Sequence, residues 1–281
     1  MSAAEAIFVE AEGIRLRVFA AGPENGRTPA LLLHGFTGSA ESMACVSEPL
    51  SRDRRVFRLD LVGHGESDAP ANVEPYAMDA CVSQVLSAIG ELGIVRPHLI
   101  GYSMGGRTAL SLAVTASDQI SSLTLVGATA GIADDCARST RIEADEALAN
   151  RIETEGLQRF VDHWMALPLF ASQACLGEAA LARARAERMR NRPHGLANSL
   201  RGMGAGAQAP LFGRLDRVTL PVMLVVGERD QKFRGIAAEL ASSLPDSSTE
   251  IVRGVGHAAH LEDPVGFNQL IHTFFEQQES R

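Results

Sequence analysis

The chain has 281 residues, 46% of them hydrophobic, and a formal net charge of −8. That length supports one substantial core, or a core with a small insertion, and the acidic balance argues against nucleic acid or an anionic membrane surface as a partner. No segment approaches the ~18 uninterrupted apolar residues of a membrane span, and the four cysteines (Cys45, Cys81, Cys136, Cys175) lack metal-ligand spacing, which predicts reduced, mostly buried thiols and no metal.

The opening residues 1–10 have no basic start and no apolar run of signal-peptide length, so a cytoplasmic location is expected. The next stretches predict strands at 6–11, 14–20, 30–34 and 55–61, with the turn-rich run 22–29 between the second and third. From Ser42 onward helical and strand patterns alternate. Helices are expected near 78–92, 106–116, 234–243 and 264–278, and strands at 97–102, 122–127, 221–227 and 249–253. This alternation predicts an α/β fold, a mostly parallel sheet covered on both faces with an antiparallel start. Residues 131–211 break the rhythm. They are rich in Arg, Ala and Glu at helical spacing without a strand, and eighty residues exceed what one crossover needs. The expected division is therefore a core of residues 1–130 and 212–281 with an inserted helical cap at 131–211. The Gly-rich run 202–210 reads as a flexible return to the sheet.

The segment Gly101-Tyr-Ser-Met-Gly-Gly-Arg107 carries the most chemistry. Its first five residues fit G-x-S-x-G, a strand-to-helix turn that exposes a serine hydroxyl above a sheet. Roughly one chain in six of this composition contains such a match by accident, so context must decide. A short apolar run precedes it and a helical pattern follows it, as the turn requires. A serine needs a histidine to take its proton and an acid to orient that histidine, and in this kind of sheet the order is Ser, acid, His. Asp230 follows the apolar run 220–227, and His257 follows 251–256. Ser103, Asp230 and His257 therefore each fall just past the C-terminal end of a strand, the edge where open α/β sheets bind ligands. Asp134 and Asp135 also follow a strand and are the alternative acid. Asp246 and Asp263 read as turn or helix-start residues, His260 as a structural partner of the last loop, and His64 as a loop-shaping residue. Two backbone N–H groups are expected to stabilise a developing oxyanion, those of Met104 and of Phe36 in the loop Leu33-His-Gly-Phe-Thr-Gly38. The Phe36 ring reads equally as a pocket wall or as core. Arg107 lies four residues beyond Ser103, one helical turn away on the same face, which suits a substrate bearing carboxylates.

Together the segments His34-Gly-Phe-Thr-Gly38, Asp60-Leu-Val-Gly-His-Gly-Glu-Ser67, Gly101 to Arg107, Gly227-Glu-Arg-Asp-Gln-Lys-Phe233 and Gly256-His-Ala-Ala-His-Leu-Glu-Asp-Pro264 resemble the α/β-hydrolase fold. More closely, the chain is similar over its whole length to the 2-succinyl-6-hydroxy-2,4-cyclohexadiene-1-carboxylate synthases of menaquinone biosynthesis. That resemblance implies a lyase without cofactor that removes a ring proton and expels pyruvate, with the serine as base or proton relay. It also implies that Arg107, Arg141 and Arg190 bind the carboxylates of a polycarboxylate substrate, in a stretch where Arg138, Arg183, Arg185, Arg188 and Arg192 lie close by. Trp164 matches the family's cap tryptophan and Tyr102 its motif tyrosine. The expected state is a monomer or homodimer. Two rival readings stand beside the lyase. One is a carbon–carbon or carboxylic ester hydrolase working through the same triad; the other is a ligand-binding protein that has lost catalysis.

Overall fold

The computed structural model describes residues 5–280. Residues 1–4, part of the stretch read above for a signal peptide, and Arg281 lie outside it. The first strands, β1 (Glu5–Ala11) and β2 (Ile14–Ala21), form a hairpin across the turn Glu12-Gly13, where both residues have positive φ (54° and 74°). Next come β3 (Ala30–Leu33), α1 (Ala44–Leu50), β4 (Val56–Leu59), α2 (Met78–Glu91), β5 (His98–Tyr102), α3 (Met104–Thr115) and β6 (Ser122–Val126). After β6 the chain leaves the sheet through α4 (Asp135–Glu155), α5 (Leu157–Met165), a 3-10 segment (Pro168–Leu176), α6 (Glu178–Arg188) and α7 (Pro193–Met203). It returns with β7 (Val222–Gly227), α8 (Gln231–Ser243), β8 (Ser247–Val252), the short α9 (Ala259–Glu262) and α10 (Pro264–Glu279).

Eight strands form one sheet in the order β1-β2-β4-β3-β5-β6-β7-β8. The β1–β2 and β2–β4 pairs are antiparallel and the remaining pairs parallel. In β3, Leu31 and Leu33 enter the apolar cluster under α2, α3 and α8, whereas Ala30 and Leu32 enter the one under α1 and α10. Period-two alternation thus buries both faces of a central strand, which explains why it reads as a continuous apolar run. A third cluster, centred on Phe160, Ile152 and Leu196, holds the inserted helices to one another.

Two sequence expectations change. Cys136 and Cys175 are exposed, so only Cys81 is a fully buried thiol. The Gly-rich run is not a loose return. A Cβ on Gly202 would lie 2.6 Å from the Tyr76 carbonyl, and one on Gly206 would lie 2.7 Å from the Ile142 amide nitrogen. These glycines let the chain press against α4 and the loop before α2. Among the described residues no helix is long and apolar enough to cross a membrane.

Candidate active site

Register places the parallel strands' C-terminal ends side by side: Leu33 pairs with Gly101, Gly101 with Leu125, and Leu125 with Leu224. Ser103 sits at the turn into α3 with φ 51° and ψ −106°, a conformation strained for a residue with a Cβ and maintained only by its surroundings. The neighbouring glycines make the turn sterically feasible. A Cβ on Gly101 would meet the Gly105 carbonyl at 2.4 Å, and one on Gly105 would meet that of Leu33 at 2.4 Å.

His257 Nε2 lies 3.2 Å from Ser103 Oγ, and His257 Nδ1 lies 2.7 Å from Asp230 Oδ2. The remaining carboxylate oxygen, Asp230 Oδ1, accepts the Phe233 N–H at the start of α8, so one side chain orients the imidazole and caps a helix. Glu262 accepts the N–H groups of Gly256 and Ala258 on either side of the histidine. Gly127, at φ 55°, leaves room for the imidazole, since a Cβ there would lie 2.7 Å from its Cε1. The alternative acid, Asp134, instead caps α4 by accepting the Ala137 N–H, and Asp135 pairs with Arg138.

Met104 opens α3, where N–H groups have no intrahelical partner. Among the described residues, no turn, loop or cap hydrogen bond has the Met104 or Phe36 N–H as donor. The Phe36 loop is held by Gly38 N–H to the Gly35 carbonyl and by Asn191, whose amide donates to the Thr37 carbonyl. The Phe36 ring serves both expected roles: it faces the cavity, and it packs edge-on against Trp164 at 5.1 Å between centroids.

Above Ser103 lies a cavity of about 600 Å³ whose wall includes Tyr102, Arg107, Arg141, Trp164, Phe170 and Phe233. Among the described residues, the buried Trp164 indole N–H has no hydrogen-bond partner. The Tyr102 ring lies close against Gly35, and its centroid is 4.5 Å from that of the His260 ring. Burial raises the Tyr102 phenol's pKa and lowers that of His260, which lies behind the cavity wall, to about 3. The cavity holds the two arginines differently. Arg107 is buried, its pKa lowered to about 10 by that burial and then by the charge of Arg141; it donates to Gln208 Oε1 at 3.0 Å. Arg141 Nε donates to the buried Asp145 at 2.8 Å.

Arg190 is not brought to this cavity. It is exposed just past the end of α6, whereas Arg188 is partly buried with its charge acting on Tyr102. Arg188 is the last residue of α6, and Arg190 lies in the turn beyond it. Gln208, Asp145, Glu262 and Asn191 were not anticipated from sequence. For Asp145, spacing of four from Arg141 on a helix was the available signal; for Gln208 none existed.

The alpha/beta hydrolase fold family matches residues 28–264. A Bacillus subtilis (strain 168) protein provisionally named 2-succinyl-6-hydroxy-2,4-cyclohexadiene-1-carboxylate synthase is 41% identical over 94% of this chain and 95% of its own. A Citrobacter koseri protein carrying that name without qualification is 33% identical over 89% of this chain and 95% of its own. Among solved structures, MenH from S. aureus superposes with a TM-score of 0.89 at 29% identity, covering 93% of this chain and 98% of its own. An enol-lactonase from Burkholderia xenovorans LB400, at 23% identity and a TM-score of 0.84 over 96% of this chain and 100% of its own, shares the fold.

Proposed function

The chain belongs to the 2-succinyl-6-hydroxy-2,4-cyclohexadiene-1-carboxylate synthase family within the alpha/beta hydrolase fold, and from that membership we propose that it is a lyase. It eliminates pyruvate from 2-succinyl-5-enolpyruvyl-6-hydroxy-3-cyclohexene-1-carboxylate. The observation that carries the reading is a buried Arg107, without a carboxylate partner among the described residues, one helical turn from the Ser103 hydroxyl. A neutral ester has no use for that charge.

In this reading Ser103 Oγ, hydrogen-bonded to His257, takes the ring proton beside the succinyl carbonyl and passes a proton to the imidazole. Asp230 fixes the imidazole's orientation and stabilises its charged form. The electron pair left at that carbon spreads onto the carbonyl oxygen, which the N–H groups of Phe36 and Met104 are placed to stabilise. The pair then forms the new ring double bond, the existing one shifts, and the bond from ring carbon to enolpyruvyl oxygen breaks. Pyruvate leaves as its enolate and becomes the ketone on taking up a proton. No acyl-enzyme forms, and no step calls for a metal or redox cofactor.

Arg107 and Arg141 receive substrate carboxylates, where the planar fork of arginine suits a two-point hydrogen bond. Arg188, on the Tyr102 side, is better placed than Arg190 to take another. Residues 131–211 form the cap that closes the site, and Trp164 and Tyr102 line it. The enzyme works in the cytoplasm on this small polycarboxylate, as a monomer or homodimer.

The competing reading, hydrolysis of a carbon–carbon bond or an ester of an acidic substrate, is favoured by the complete serine, histidine and acid geometry. One assay separates them: supply the enolpyruvyl precursor and follow pyruvate release, with a p-nitrophenyl ester series alongside. Pyruvate release with slow ester turnover is expected. Fast ester turnover without pyruvate would sink the lyase reading.

A further inference from the structure

Buried guanidinium groups are ordinarily paired with a carboxylate, because the desolvation cost of an unpaired buried charge is several kcal/mol. Arg107 breaks that rule. It is only 8% exposed, yet among the described residues no carboxylate lies within 4.0 Å of it. Its side-chain partner is Gln208 Oε1 at 3.0 Å, a neutral amide oxygen that is itself 2% exposed. Arg141, more open to solvent, does have an acid, Asp145, held 2% exposed at 2.8 Å.

Two guanidinium groups therefore share one buried carboxylate and one buried amide, so the pair carries one positive charge more than its own partners neutralise. The arrangement is built rather than incidental. Gly204 brings its backbone onto Asp145, where a Cβ would lie 2.5 Å from Oδ2, and the Gln208 N–H donates to the Gly204 carbonyl at 3.1 Å. The same Gly-rich segment thus positions both partners. Asp145 binds Arg141 through Nε, and among the described residues the two terminal nitrogens of that fork have no hydrogen-bond partner. Among the described residues, Asp145 Oδ2 and Gln208 Nε2 are both buried without a hydrogen-bond partner.

We propose that Gln208 and Asp145 are positioning residues that set the charge and geometry of this arginine pair: Gln208 holds Arg107 in place without neutralising it, reserving it for a ligand carboxylate, while Asp145 neutralises and orients Arg141. The inference rests on the polycarboxylate reading above for the class of ligand, but not on which reaction follows binding. A glutamate at 208 has nearly the same shape and would supply the carboxylate from within the protein, so the site would be self-occupied. Removing the charge of Asp145 acts in the opposite direction on anion affinity, while loosening the Arg141 fork.

Calorimetric titration of the full-length protein with tricarballylate as the probe tests this, since binding is measured without any turnover. Gln208→Glu is expected to weaken binding by about tenfold or more, given charges a few ångströms apart in a poorly solvated wall. Asp145→Asn is expected to tighten it about threefold and to steepen its salt dependence. In pyruvate release, Gln208→Glu should raise KM with little change in kcat, and Asp145→Asn should lower kcat. A purely structural role for the two residues predicts weaker binding in both variants. Shifts in the same direction, affinity within twofold of the parent for Gln208→Glu, or no binding to the parent protein overturns the proposal. Should Gln208→Glu fail to fold, a weakened affinity in Asp145→Asn overturns it alone. If the protein proves to be an ester hydrolase, the titration still decides the matter. Pyruvate release with unchanged titrations removes only this inference.

Discussion

Arg107 is the residue on which substrate class turns. Its burial costs stability, and under the proposed function that cost is offset only when a substrate carboxylate arrives. Arg107→Ala should therefore lower kcat/KM for pyruvate release about 100-fold or more, roughly 2.7 kcal/mol of transition-state binding. Its Tm should stay within a few degrees of the parent's, because the variant sheds a desolvated charge while stranding one amide. A fall in Tm large enough to explain the lost activity would make Arg107 a structural residue instead. This residue was legible from its motif alone, since G-x-S-x-G followed by Gly-Arg puts serine and arginine on one helix face. Its partner was not, because Gln208 lies 101 residues away along the chain in a run that carries no motif.

Among the elements, α7 couples the inserted helices to the sheet domain. Gly195 and Gly202 face the core: a Cβ on Gly195 would lie 2.4 Å from the Gly63 carbonyl, and one on Gly202 2.6 Å from that of Tyr76. The same helix carries Ser199, Leu200 and Met203 to the cavity wall. Two effects compete in Gly202→Ala. Helix propensity favours alanine by about 1 kcal/mol, whereas overpacking against fixed backbone costs about 1–3 kcal/mol. Because the obstructing atoms are backbone, the clash should win. Denaturant unfolding should show a net loss of stability, with a raised KM as the wall shifts. A stabilised variant would show that α7 sits more loosely than this. Glycines that permit close approach and glycines that loosen a loop look alike in a sequence, which is why residues 202–210 read as a flexible return.

At the scale of the whole molecule, one ion-pair cluster and a set of buried histidines matter. Opposite the cavity, Arg54 and Arg27 pair with Glu279, Glu276 and Asp53, tying α10 to the sheet, and His98 stacks on Phe275 beside them. Burial lowers the pKa of His98 from 6.5 to about 4, those of His64 and His260 to about 3, and that of His34 as well. A histidine whose folded pKa is depressed binds its proton first in the unfolded chain. Its contribution to stability is intact above pH ~6.5 and is lost as pH falls toward the folded value, at up to ~1.4 kcal/mol per pH unit for each group. Glu279 adds to this below its ordinary range: burial raises its pKa, but the hydrogen bonds from Arg27 and Arg54 outweigh that and hold it down. Thermal melts should show a Tm that is flat above pH 7 and falls progressively between pH 6.5 and 4. A constant Tm from pH 7 to 5 would show that these imidazoles are hydrated rather than buried.

By itself the sequence determined the eight strands, the turn that exposes Ser103, and the order in which Asp230 and His257 follow it. Each of these is written locally, in an apolar run that ends at a glycine or a polar turn, and parallel sheets align such ends at one edge. Tertiary structure alone decided what surrounds them. That Arg188 packs near Tyr102 while Arg190 is exposed depends on where α6 ends against its neighbours. That Arg107 meets the amide of Gln208 depends on a Gly-rich segment folding back onto α4, whereas Arg141 and Asp145 already share a face of that helix. Helical periodicity specifies a face, but packing specifies what that face meets.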